Sequence, residues 1–288
     1  MKRAERAIAA AARTTSRLGP IPQAVAAHAI DRLPSSLAPR SGSRLLMAHG
    51  IEWQLDLADN LQRTLYFTGR YEPRCVDHIV RSLREGDLVL DVGANIGTFT
   101  VPVAQRLREL GGGRVIAVEP QTRVRRALQR NVSNAGVSTL VTIVPFAFSD
   151  RDGPGELRAS QQFGSDDHGT VALGADGETI EAVGLVHGSR WLADHEISRV
   201  DVIKIDVEGH EAAVLRGLEP LLTANPPRLV QVEVVPRAWD QLMTDRAYVF
   251  SVLQQAGMRL RWVRPRGITR ARAGDGNAGN LLGMRPGR

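Results

Sequence analysis

The run Leu88-Val-Leu-Asp-Val-Gly-Ala-Asn-Ile-Gly97 constrains the fold more than any other part of the chain. Leu88 to Asp91 reads as a buried parallel strand, apolar and partly β-branched, closing on a carboxylate. Gly93, Asn95 and Gly97 then form a tight turn into the helical pattern of Thr98 to Leu110. A strand, a glycine-rich turn and a helix start make a nucleotide-binding corner. Glycine admits a ligand close to the backbone, and a helix N-terminus offers unpaired N–H groups.

Two details narrow the ligand. The dinucleotide fingerprint G-x-G-x-x-G needs a second glycine where a pyrophosphate approaches, and Asn95 stands there instead. Asp91 ends its strand in a carboxylate, which repels a pyrophosphate but suits a ligand ammonium. The next strand, Arg114-Val-Ile-Ala-Val-Glu119, ends in an acid that can accept both ribose hydroxyls. Glu119 lies 22 residues after Gly97, the distance expected of a ribose-binding acid one helix later. A ribose, an ammonium and no pyrophosphate describe S-adenosylmethionine. The competing reading gives Gly93 and Gly97 to helix–sheet packing and Asp91 to capping. It leaves two acids at the ligand-binding ends of adjacent strands unexplained.

Composition bounds the remainder. The 288 residues are 43% hydrophobic and 24% charged, ordinary for a globular protein, and no apolar run reaches the length of a membrane span. A lone cysteine, Cys75, excludes an internal disulfide framework and fits a reducing, cytoplasmic setting. The net charge of +6 invites a nucleic-acid partner. Yet nearly all the bases are arginine throughout the chain, aromatic content is 5%, and no basic stripe carries interleaved aromatics. The cluster Arg123, Arg125, Arg126 and Arg130 reads as a solvated helix face.

Three zones follow. Residues 1–50 form an Ala- and Arg-rich leader, partly disordered or helical, without the apolar core of a secretory signal. A basic amphipathic helix there could touch a membrane surface or an acidic partner. Residues 51–86 read as a strand-and-helix cap, with period-two alternation over Ile51–Leu57 and a helix from Pro73 to about Arg84. Glu72, at the end of the connection between them, is a candidate to cover the cofactor's amine, or else a first-turn helix acid. Residues 87–288 alternate strands with helices, which predicts an α/β fold with a mostly parallel sheet. Strands are expected at 87–92, 114–119, 141–146, 201–206, 229–235, 259–263 and 280–284. Helices are expected at 97–110, 122–135, 210–223 and 238–256. Residues 151–186 interrupt the alternation as an elaborated insertion on the ligand side, with short strand-like pieces near Glu156–Ala159, Thr170–Leu173 and Thr179–Val183, and 264–279 reads as a loop.

A second constellation is Val202-Ile-Lys-Ile-Asp-Val-Glu-Gly-His-Glu211. Lys204 interrupts a buried strand and needs a partner there. Asp206 closes that strand, Gly209 permits a turn, and His210 and Glu211 open the next helix. Glu233, on the following strand, adds another acid. Lys204, Asp206, Glu208, His210 and Glu233 are therefore candidate acid–base groups. Lys204 with Glu233 as a structural ion pair, Glu211 as a first-turn acid and an exposed His210 are the plainer alternatives.

Together these residues resemble the FkbM-type methyltransferases. Asp91-Val-Gly-Ala-Asn-Ile-Gly97, Val118-Glu-Pro120, Phe146-Ala-Phe-Ser-Asp150 and Ile203-Lys-Ile-Asp-Val-Glu-Gly209 carry the likeness. Tyr71-Glu-Pro73 and Asn280-Leu-Leu282 extend it over roughly residues 65–284. The resemblance implies a class I methyltransferase fold, with a Rossmann-like seven-stranded sheet whose last strand is antiparallel. It also implies S-adenosylmethionine as cofactor and methylation of a hydroxyl on a sugar, glycan or secondary metabolite. By position, Asp91, Gly93, Ala94, Asn95 and Gly97 would hold the methionine part, and Glu119 with Pro120 the ribose. Ala147 and Phe148 would border the adenine, and Asp206 would sit near the transferring methyl. The likeness departs at His187-Gly-Ser-Arg190, where the family often carries Thr-Leu-Asp-Asp.

The expected chemistry is in-line methyl transfer to an oriented hydroxyl, with His210 or Asp206 as the base and Lys204 fixing the carboxylate. A Mg2+ held by Asp206 and another acid is the metal alternative, since hard cations choose oxygen ligands. No spacing in the sequence selects it. A nucleic-acid methyltransferase and a non-catalytic cofactor-binding protein are the rival functions.

Overall fold

The computed structural model describes residues 3–18, 20–159, 171–174, 177–241, 245–264, 267–272 and 278–286. Two compact units divide the chain near position 78.

The N-terminal unit holds α1 (Arg3–Ser16), α2 (Pro20–Asp31), the hairpin β1 (Ser43–Ala48) and β2 (Ile51–Asp56), and α3 (Asn60–Thr68). Two stretches of the leader, Arg3–Ser16 and Pro20–Asp31, are helical. Helix α1 buries Glu5, Ala9, Ala12 and Ser16, a stripe at helical spacing. Glu5 closes that stripe by accepting from Arg44 Nε at 2.7 Å and from the Tyr66 hydroxyl at 3.1 Å. The alternation read at 51–57 is real: Ile51, Trp53 and Leu55 face inward from β2. Sequence reading missed α3, whose signals are local. Asp59 caps it through the N–H of Gln62, and Gly69 ends it in the left-handed conformation. Helix α4 (Pro73–Ser82) follows.

The second unit is built on an eight-stranded sheet. Its elements run β3 (Leu88–Val92), α5 (Thr100–Glu109), β4 (Arg114–Val118), α6 (Thr122–Asn134), β5 (Val141–Val144), β6 (Ala147–Ser149), β7 (Gly153–Ala159), β8 (Val171–Leu173), β9 (Thr179–His187), α7 (Gly188–Asp194), β10 (Val202–Ile205), α8 (Glu211–Ala224), β11 (Leu229–Val234), α9 (Pro236–Gln241), α10 (Arg246–Gln255), β12 (Arg259–Arg264), β13 (Gly267–Arg270) and β14 (Gly279–Met284). The large sheet has the order β13-β12-β14-β11-β10-β3-β4-β5. Strand β14 runs antiparallel to both β11 and β12, as expected of the last strand. The seven expected strands are all present. The eighth, β13, pairs with β12 inside the segment read as a loop, where short arginine- and glycine-rich sequence masks strand periodicity. The helix expected at 238–256 appears as α9 and α10, with 242–244 outside the described residues.

Strands β6, β7, β8 and β9 form a second sheet in the order β6-β9-β7-β8, so the described part of the insertion is built of strands. Thr170, expected to start one of its strands, lies outside the described residues. The core packs Leu90, Val92, Ile116 and Ile205 of the central strands against Leu215 and Leu218 of α8 and Phe250 of α10. No helix among the described residues is long and apolar enough to cross a membrane.

Candidate active site

Register brings the site together. Strand β3 lies between β10 and β4, parallel to both, with Asp91 opposite Lys204 on one side and Ala117 on the other. The chain order reverses at this point, since β4 and β5 lie to one side of β3 and β10 and β11 to the other. Ligands bind outside the carboxyl ends of the strands at such a switch. Asp91, Glu119 and Asp206 all come from those ends.

The turn after β3 is fastened on both sides. The N–H groups of Gly93 and Ala94 donate to Val118 O, each at 3.0 Å, and the N–H of Asp206 donates to Val92 O at 3.0 Å. Gly93 has φ +83, Asn95 φ +50 and Gly97 φ +94, so the turn takes a positive φ three times. Glu119 completes it: Oε2 accepts from the N–H of Asn95 and Oε1 from the N–H of Gln121, both at 2.9 Å. Burial pushes this carboxyl up to about 7 despite those two bonds. Each oxygen keeps lone-pair capacity for another donor.

Lys204 is enclosed by acceptors. Its Nζ stands 3.0 Å from Asp206 Oδ2, 3.5 Å from Asp91 Oδ1 and 3.4 Å from Gly93 O. Asp91 is completely buried, and its Oδ2 accepts from Thr100 Oγ1 at 2.5 Å. Burial pushes the group up, and the Lys204 ammonium beside Oδ1 acts against it. Burial also acts to raise Asp206. The Lys204 ammonium and a hydrogen bond from the Glu233 carboxyl outweigh it and hold Asp206 below the usual carboxylate range. Asp206, Glu208 and Glu233 each place a carboxylate oxygen within 4.8 Å of the others, so this trio could hold a hard cation.

His210 turns elsewhere. Its Nε2 lies 3.0 Å from Ser149 Oγ, at the end of β6, and burial lowers its pKa. The Arg151 and Arg216 charges act in the same direction, and the Asp150 charge opposes them. Glu211, read as a simple first-turn acid, is wholly buried. It accepts from the N–H of Val207 at 3.2 Å, the N–H of Gly209 at 3.1 Å and Trp239 Nε1 at 2.7 Å. Burial pushes it up to about 7.

The remaining expected residues divide between ligand side and core. Gly97 is a packing glycine: a Cβ there would meet Leu128 Cδ1 at 2.8 Å. Ala94 and Ala147 are buried, and Pro120 is half-buried. Phe148 is a core residue, tilted against Trp191 with ring centroids 5.5 Å apart. Phe146, two residues past the end of β5, is the exposed aromatic of that edge. Its signal was an apolar residue immediately beyond a strand end. Glu181 of β9 caps α6 by accepting from the Thr122 N–H at 3.0 Å, so the insertion braces the Glu119 loop. Where the family often carries acids, Arg190 and the His187 N–H instead converge on Asp152. Glu72 belongs to the N-terminal unit, where its carbonyl accepts from the N–H groups of Cys75 and Val76 at the start of α4.

The chain is similar to several known proteins. Hexuronic acid methyltransferase AglP of Haloferax volcanii is 25% identical over 179 residues, 61% of this chain and 69% of that protein. Among solved structures, the O-methyltransferase TomG of Streptomyces achromogenes aligns at 13% identity and a TM-score of 0.45, covering 75% of this chain and 80% of that one. TYW2 of M. jannaschii aligns at 11% identity and a TM-score of 0.43, covering 85% of each chain. The methyltransferase FkbM domain model matches residues 91–260, more than half of the chain and every site element from Asp91 to Trp239. The protein belongs to the FkbM methyltransferase family.

Proposed function

We propose that this protein transfers the methyl group of S-adenosylmethionine to a hydroxyl oxygen on a sugar or a related small molecule. The observation that carries the reading is the convergence of Asp91, Glu119, Lys204 and Asp206 at the carboxyl ends of three adjacent strands, β3, β4 and β10. Glu119 retains acceptor capacity for two ribose hydroxyls, and Asn95 stands where the dinucleotide fingerprint has the glycine that admits a pyrophosphate. Likeness to a hexuronic acid methyltransferase supports a sugar acceptor.

When bound, S-adenosylmethionine supplies an electrophilic methyl on a sulfonium. Glu119 would hold the ribose, and the exposed Phe146 would offer a ring for the adenine. Asp91 acts from inside, fixing Lys204 and the start of α5, because its carboxylate is enclosed. Asp206 orients the acceptor hydroxyl and takes its proton as the oxygen–methyl bond forms and the sulfur–methyl bond breaks. Lys204 keeps that carboxylate in place. His210, committed to Ser149, braces the turn that carries Asp206. The Lys204 ammonium already gives Asp206 its counter-charge, so the reading places no metal at the acid trio.

The test is incubation of the purified protein with isotopically labelled S-adenosylmethionine and a cell extract, followed by mass spectrometry. A labelled methyl on an oxygen of a hydroxylated small molecule is expected. Label confined to RNA would favour a nucleic-acid methyltransferase. Cofactor binding without any product would leave a non-catalytic binding protein.

A further inference from the structure

We propose that Glu211 is the positioning residue of the methyl-transfer site, a buried carboxylate that clamps the turn carrying Asp206. This rests on the methyltransferase reading above and deepens it. Between Asp206 and Glu211 the chain makes a demanding turn. Glu208 has φ +53 and Gly209 φ +107, and the His210 N–H donates to Val207 O at 3.3 Å. A non-glycine residue keeps such a φ only where its surroundings hold it. Glu211 supplies that hold from beneath: Oε1 accepts from the N–H groups of both Val207 and Gly209.

The other oxygen reaches a different element. Oε2 accepts from the indole N–H of Trp239, on α9 just past the end of β11, the strand that also carries Glu233. One side chain thus ties the turn after β10 to the segment after β11, and Asp206 and Glu233 sit at the two ends it joins. All three partners are donors, so only a group that accepts at both oxygens satisfies them. Glutamine has the same shape but presents an NH2 where one acceptor stood. In Glu211→Gln that NH2 would face the Trp239 N–H, two donors without an acceptor. Replacing Trp239 by phenylalanine removes the conflict and leaves the glutamine carbonyl free to hold Val207 and Gly209.

The experiment compares wild type, Glu211→Gln and Glu211→Gln/Trp239→Phe at pH 8.5. Amide hydrogen exchange reads the clamp, S-adenosylmethionine titration reads cofactor binding, and the initial rate of labelled methyl transfer into extract at saturating cofactor reads positioning. In Glu211→Gln the Val207 and Gly209 amides should exchange at least tenfold faster and transfer should fall at least tenfold, with cofactor Kd within twofold of wild type. The double variant should recover most of both losses. Glu211→Asp, which keeps the charge but withdraws the oxygens by one methylene, should repeat the loss and serves if the glutamine variant does not fold. Unchanged exchange, a rate within twofold of wild type, or cofactor affinity falling in step with the rate would each overturn the proposal. If wild type transfers no methyl, the methyltransferase reading fails, while the exchange measurement still decides the clamp.

Discussion

A Cβ on Gly93 would stand 1.8 Å from the peptide oxygen of Asp206. The turns after β3 and β10 are therefore in backbone contact, with Lys204 bridging their acids.

Gly93→Ala should be the most damaging small substitution in the second unit. It combines φ +83 with a backbone clash that no rotamer relieves. A loss of roughly 3–5 kcal/mol is expected in urea unfolding. Gly86, with φ +76 and nothing within 4 Å of an added Cβ, is the control. Gly86→Ala should lose only about 1 kcal/mol. Equal losses at the two positions would mean that the turns do not meet.

Glu119 and Glu211 predict an acid-favoured fold. Both carboxyls are pushed from 4.5 to about 7 by burial. Between these values the folded chain binds more protons than the unfolded one, so each contribution to stability is lost as pH rises through that window. The lowered His210 acts oppositely, costing stability as pH falls below its ordinary 6.5. The comparison that isolates one group is wild type against Glu119→Gln in thermal unfolding without cofactor. Wild type should gain on the variant by roughly 1–3 kcal/mol between pH 7.5 and pH 5. Parallel curves would return Glu119 to an ordinary carboxylate.

Much of this site was legible from sequence because strand ends are periodic landmarks. Asp91, Glu119, Lys204 and Asp206 sit at or next to the ends of apolar runs, and parallel register does the rest. What was hidden depended on distant partners. Nothing near Glu211 announces Trp239, and His210 meets Ser149 only because β6 joins a second sheet. Phe146 and Phe148 have the same spacing parity, yet Pro145 and the start of β6 send one outward and the other into the core. In the leader, alanine- and arginine-rich composition concealed that α1 buries a stripe through Ala9 and Ala12.

Asp206 and His210 should separate in kinetics. Asp206→Asn can still accept from Lys204, so the fold should persist while single-turnover transfer falls by about 10²–10⁴-fold. His210→Ala removes a bond to Ser149 rather than the base, so the loss should stay within about tenfold. Disappearance of the acidic limb of the pH–rate profile in His210→Ala would instead make His210 the base.

Chelation tests the acid trio. With Lys204 at 3.0 Å as the counter-ion of Asp206, dialysis against EDTA should leave transfer unchanged. Loss of activity restored by Mg2+ would place a cation among Asp206, Glu208 and Glu233.

The most direct measurement is calorimetric titration of S-adenosylmethionine into wild type and Glu119→Ala. Two ribose hydroxyls bonded to a carboxylate predict a loss of roughly 1.5–3 kcal/mol, about ten- to 150-fold in Kd, with the variant still folded. Wild-type affinity should also weaken as pH falls below about 7, where Glu119 takes up a proton, and the variant should lack that dependence. Equal affinities for wild type and variant, with no pH dependence in either, would contradict the cofactor site described.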